Sequence, residues 1–97
     1  MALVLSYKIQ QKLEEKHGVS RLEVVQCVSN RTGELLIDRR EEHSDPPTLW
    51  FIALTNKNRL LKICFVQQEG DQYIRTAYEP NERELQIYRL KGKPSDF

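Results

Sequence analysis

The sequence predicts an α+β domain with two N-terminal helices, a four-stranded antiparallel meander sheet and a C-terminal helix, the helices packed on one face of the sheet. Three observations carry this. The first thirty residues hold two capped segments with helical apolar spacing. Residues 35–78 hold four apolar runs separated by turn residues, and a second complete capping signal appears at Asn81. Ninety-seven residues without a composition break make one domain, 1–97, with an ordered core expected over about 6–90 and a frayed tail over 91–97.

Ser6 is the expected N-cap of a first helix in which Ile9 and Leu13 recur four apart, and Gly18 after His17 stops it. Ser20-Arg21-Leu22-Glu23 has the spacing of a capping box, in which the serine oxygen and the glutamate carboxylate satisfy free amides at a helix start. Val19 and Val24 flank it as a hydrophobic staple, so a second helix runs from about Arg21 to Ser29. Asn30-Arg31-Thr32-Gly33 breaks the periodicity, and Leu35-Leu36-Ile37 begins the first strand.

The polar run DRREEHSD, Asp38 to Asp45, ends at Pro46-Pro47 and reads as an exposed connection. TLWFIALT, Thr48 to Thr55, is the second strand; Asn56-Lys57-Asn58 turns it into the third, Arg59 to Gln67. There Leu61, Ile63 and Phe65 share one face, and Lys62 is the odd charge among Leu60, Cys64 and Val66 on the other. Glu69-Gly70-Asp71 leads into the last strand, Gln72 to Tyr78. Asn81 with Glu84 starts the final helix, whose Leu85 and Tyr88 share a face. Arg89, Lys91 and Lys93 sit at or beyond its end, where positive charge suits the dipole.

Fifteen Lys and Arg against fourteen Asp and Glu leave a net charge of +1, so nucleic-acid binding would have to come from a local patch. Ala2-Leu3-Val4-Leu5 is too short for a signal-peptide core or a membrane span and lacks a preceding basic region, so a cytoplasmic protein is expected. Cys27 and Cys64, far apart and among apolar residues, read as buried reduced thiols. Glycine-rich phosphate loops, GxSxG and HExxH are all missing, which argues against nucleotide hydrolases, serine hydrolases and zinc proteases, and no cofactor is expected. No metal is expected either, because His43 beside Glu41, Glu42 and Asp45 is a weak ligand pattern.

Strand alternation puts Ile74 and Thr76 on one side of the last strand and Tyr73, Arg75 and Ala77 on the other. With Ile74 inward, Arg75 and Lys62 share the open face beside Tyr73, where they either hold a phosphate or extend their stems over the sheet and pair with acids. Tyr78 and Glu79 lie at the strand-to-helix junction. They either move a proton while Arg75 stabilises developing phosphorane charge, or they only fix the entry to the helix. His17 is a candidate RNA contact, or a cap on the first helix.

Lys16-His17-Gly18-Val19-Ser20, followed by a second helix, the TLWFIALT and RLLKICFV hairpin and TAYEPNERELQIY, resembles the BrnT toxins over approximately residues 6–90. That resemblance implies the RelE-like fold and a metal-independent endoribonuclease of a toxin-antitoxin pair. RNA or ribosome-bound mRNA would be the substrate and a small antitoxin protein the partner. Lys62, Arg75, Tyr78 and Glu79 would be catalytic, with Lys62, Arg75, Tyr73 and His17 on the RNA. Where the family carries Ser-Ala-Arg, this chain has Thr76-Ala77-Tyr78, so Tyr78 stands at the arginine's place. The alternative role on the same fold is a non-catalytic protein-interaction module.

Overall fold

The computed structural model describes residues 2–41 and 45–97. In chain order the elements are β1 (Leu3–Val4), α1 (Tyr7–His17), α2 (Arg21–Asn30), β2 (Leu36–Ile37), a 3-10 turn (Arg39–Glu41), β3 (Thr48–Leu54), β4 (Leu60–Gln68), β5 (Asp71–Tyr78) and α3 (Glu82–Lys91). The helices begin where their caps dictate. Ser6 Oγ accepts the Ile9 amide at 3.2 Å, and Gly18, at φ 60°, takes the left-handed conformation that ends α1. Full capping boxes open α2, from Ser20 and Glu23, and α3, from Asn81 and Glu84.

The sheet has five strands in the order β1-β5-β4-β3-β2 and is mixed, a correction to the four antiparallel strands expected. β2 to β5 form the antiparallel meander, and β1 adds to its far edge in parallel, Leu3 opposite Gln72 and Val4 opposite Tyr73. The short apolar run near the N-terminus is therefore a strand. Two residues are too few for alternation to reveal, and the pairing is fixed instead by Ala2, whose amide donates to Asp71 Oδ1 at 3.0 Å. The other edge is protected by α2. Asn30 Nδ2 donates to the Leu54 carbonyl at 2.9 Å and Gln26 accepts the Asn56 amide at 3.0 Å, so the end of β3 beyond β2 presents few free groups.

A second correction concerns the layers. Phe51, Ala53, Leu61, Ile63, Phe65, Ile74 and Ala77 form the inner face, buried with Leu13, Val19, Val24 and Cys27 of the helical pair. The opposite face carries Trp50, Ile52, Lys62 and Cys64, and there α3 packs, its Tyr88 ring 5.5 Å from Trp50. The sheet is covered on both faces, at least in part. TLWFIALT carries large apolar residues at odd and even positions alike, which is what a doubly covered strand needs.

The last residues, expected to fray, lie against the body. Phe97 stacks on Tyr88 at 6.2 Å and 15°, and the Ser95 amide donates to Thr32 Oγ1 at 3.1 Å. Asp38, at the head of the polar run, is 9% exposed: its amide donates to the Thr48 carbonyl and its carboxylate takes the Arg40 guanidinium. His43 lies outside the described residues, as does Glu42.

Candidate functional site

Three polar side chains meet beneath the start of α3. Lys62 is opposite Tyr78 in the β4–β5 register, so both point to the outer face. The capping box of α3 fixes Glu84, whose Oε1 accepts the Asn81 amide at 2.9 Å. Its Oε2 is then free to accept Lys62 Nζ at 2.7 Å and the Tyr78 hydroxyl at 2.8 Å. Lys62 is 5% exposed, with its ammonium 4.5 Å from the centre of the Trp50 ring. A buried cation is tolerated there because a carboxylate and an aromatic face replace its water.

The register of β5 carries the next feature. Cys64 pairs with Thr76 and Phe65 with Ile74, so Arg75 is the extra residue of a β-bulge. Strict alternation was expected to put Thr76 with Ile74 and Ala77 with Arg75. The bulge instead buries Ile74 and Ala77 together and leaves Arg75, Thr76 and Tyr78 all lining one outer cleft of about 490 Å³ with Asp38, Arg40 and Cys64. Lys62 and Arg75 do belong to the same side of the sheet, but the Lys62 ammonium is turned under α3 while Arg75 is exposed in the cleft.

The remaining candidates divide. The His17 imidazole stands 5.6 Å from the Tyr78 ring, centre to centre, and so joins the site. Tyr73 does not: although Arg75 is two residues on, Tyr73 is not among the residues lining the cleft, and it lies five residues from Tyr78 along β5, roughly 16 Å at strand rise. Glu79 is turned away, its carboxylate 3.0 Å from Arg59 Nη2. Arg59 also donates to Glu23 at 2.9 Å and to the carbonyls of His17 and Gly18, so Glu79 belongs to a clamp on the α1–α2 corner. Glu79 thus bonds to Arg59 and not to the free amides at the start of α3, whose capping carboxylate is Glu84. Among the described residues no three His, Cys, Asp or Glu side chains come together as a metal set.

Glu84 and Arg40 were not singled out from the sequence. Glu84 was read only as a capping residue, and one carboxylate oxygen does that while the other serves the site. Arg40 sat in a charge run whose only legible property was polarity.

The electrostatics fix the charges at rest. Burial would raise the Glu84 carboxyl, but Lys62, the Asn81 amide and Tyr78 outweigh it and hold it below its ordinary range. Burial disfavours charge on Lys62, yet Glu84 raises it. Tyr78 is pushed up, first by burial and then by its bond to Glu84. Ammonium, carboxylate and neutral phenol therefore coexist near neutrality. Burial pushes the Cys64 thiol up to about 11 and Cys27 to about 12, which keeps both as neutral, unreactive thiols.

These shifts set a stability profile. Glu84, Glu23 and Asp38 have folded values below their ordinary 4.5, 4.5 and 3.8, so their contribution is present above that range and is lost as pH falls through the folded values. The two thiols, Tyr78 and Lys62 have folded values above their ordinary 9.0, 10.0 and 10.5, so their contribution is complete below that range and is lost as pH rises. Urea midpoints measured across pH should form a plateau between about 5 and 9 and fall on both sides. Stability still climbing above pH 10 would contradict the assignment.

Compared with known proteins, the chain matches no family model and no curated sequence.

Proposed function

We propose that this protein acts on RNA, as a toxin-type endoribonuclease that needs no metal, at the cleft where Arg75, Arg40 and Tyr78 converge. The bulge at Arg75 carries this reading, because bulges gather next to active sites where they re-aim a side chain, and this one brings a guanidinium beside a bonded phenol. The Arg75 guanidinium offers a bidentate contact to a phosphodiester, and Arg40, whose Nε and Nη2 hold Asp38, adds its remaining N–H groups; together they offset the charge that builds on the phosphate oxygens when a 2′-hydroxyl attacks phosphorus. The bond formed is from O2′ to phosphorus and the bond broken is from phosphorus to O5′, giving a 2′,3′-cyclic phosphate and a 5′-hydroxyl. The Tyr78 phenol gives its proton to the leaving O5′ as its bond to Glu84 Oε2 is exchanged for one to that oxygen, and the His17 imidazole beside its ring takes the proton from O2′. Lys62 and Glu84 act as positioning residues: they hold the phenol rather than touch the substrate.

The test is tightly induced expression in a bacterial host with RNA 5′ ends mapped for wild type, Arg75→Ala and Tyr78→Phe. New 5′-hydroxyl ends in the wild type should fall by roughly tenfold or more in each variant, the size of effect usual for a transition-state contact or a proton donor. Unchanged RNA from abundant folded wild-type protein would sink the ribonuclease reading and leave a non-catalytic interaction module on this fold.

A further inference from the structure

A second, larger groove of about 1020 Å³ runs between α3 and the β2–3-10 segment. Its floor is apolar, with Leu36, Ile37, Trp50 and Ile87 among its lining residues. Two of these are open to solvent, Ile37 at 52% and Ile87 at 36%. Both carboxylates that line it are already engaged, Asp38 by Arg40 and Glu84 by Lys62. Arg39, Arg83 and Lys91 remain at its rim, exposed and forming no ion pair among the described residues. On α3 the groove is lined by Arg83, Glu84, Ile87 and Lys91; Glu84 is held by Lys62, and Arg83, Ile87 and Lys91 recur four apart, so two cations stand about 12 Å apart along the helix with an apolar side chain midway.

We propose that this groove docks an acidic amphipathic helix of a partner protein. Such a helix repeats the pattern with opposite charge, acidic side chains two turns apart flanking an apolar anchor, so the apolar floor supplies burial and the rim supplies complementary charge. RNA fits less well, because bases need aromatic faces to stack on and Trp50 already has the Lys62 ammonium over its ring. A second copy of the chain offers no acidic helix: α1 carries Lys8, Lys12 and Lys16 against Glu14 and Glu15, α2 has a single carboxylate, Glu23, which Arg59 holds, and α3 is itself basic at its end. The inference stands whether or not the neighbouring cleft cleaves RNA.

The experiment uses the full chain and a fluorescein-labelled synthetic helical peptide with leucine anchors four residues apart, flanked by glutamates. A peptide with lysine in place of each glutamate is the control, and binding is read by anisotropy. The acidic peptide should bind, weaken as salt rises, and lose roughly tenfold in affinity with Arg83→Glu combined with Lys91→Gln, or with Ile87→Ser alone, while Arg75→Ala changes nothing. Circular dichroism establishes that each variant is folded; Arg39→Glu, outside the helix, tests the rim if the α3 variants melt. Equal binding of both peptides, or binding indifferent to every rim change, overturns the proposal. So does labelled single-stranded RNA that binds the wild type and is lost with the same rim changes, since the groove would then be a nucleic-acid surface.

Discussion

Glu84→Gln is expected to cost about 3–5 kcal/mol, and adding Lys62→Met should restore most of it. Glutamine keeps the volume and can still serve a capping box, so the change isolates the charge. What it leaves behind is an ammonium 5% exposed beside the Trp50 and Tyr78 rings, with Asp38, the nearby carboxylate, already bonded to Arg40. A buried charge stripped of its partner is costly, whereas a pair removed together is often neutral, because two desolvation penalties vanish with one attraction. Lys62→Met alone should cost less, about 1–2 kcal/mol, since the Glu84 side chain keeps 20% exposure and the bonds from Asn81 and Tyr78. Urea unfolding of the four proteins gives the coupling energy directly. If the double variant is as unstable as the sum of the singles, the pair is not the coupled unit described here.

What could be read in the chain divides by range. Caps are local chemistry, and Ser6, Ser20 and Asn81 each announced a helix correctly because the donor and acceptor lie three residues apart. β1 has two residues and a partner nearly seventy positions away, so no periodicity betrays it. The bulge left a trace: Ile74 and Ala77 are both buried though three apart on one strand, a spacing alternation forbids. Glu79 was placed in the chemistry because it follows Tyr78, whereas its partner Arg59 lies twenty residues back and faces it only after β4 and β5 pair. The same folding brings Glu84 to Lys62 from twenty-two residues away. Local signals thus located the junction, and the register decided which carboxylate serves it.

Tyr88 is the other place where a single substitution should be severe, and its consequences extend to the groove, whose α3 wall it fastens to the sheet. The ring is fully buried between Trp50 and Phe97, and its hydroxyl donates to the Glu34 carbonyl at 2.7 Å. Gly33 and Gly92 pack so closely that a Cβ on either would come within 2.5 Å of it. Tyr88→Ala should cost about 3–5 kcal/mol for lost burial and the cavity left, and Tyr88→Phe about 1 kcal/mol for the orphaned carbonyl. Gly92→Ala should cost about 1–3 kcal/mol, since a ring wedged on both faces cannot give way. Yet Gly92, at φ −83° and ψ −24°, has a backbone conformation that alanine adopts without strain. In the Tyr88→Ala background the obstruction is gone, and the same glycine substitution should become neutral or stabilising by about 0.5 kcal/mol. A reversal of sign measured by thermal or urea unfolding would establish that the glycine is required by the ring and not by the turn; a penalty unchanged in both backgrounds would place the constraint in the backbone instead.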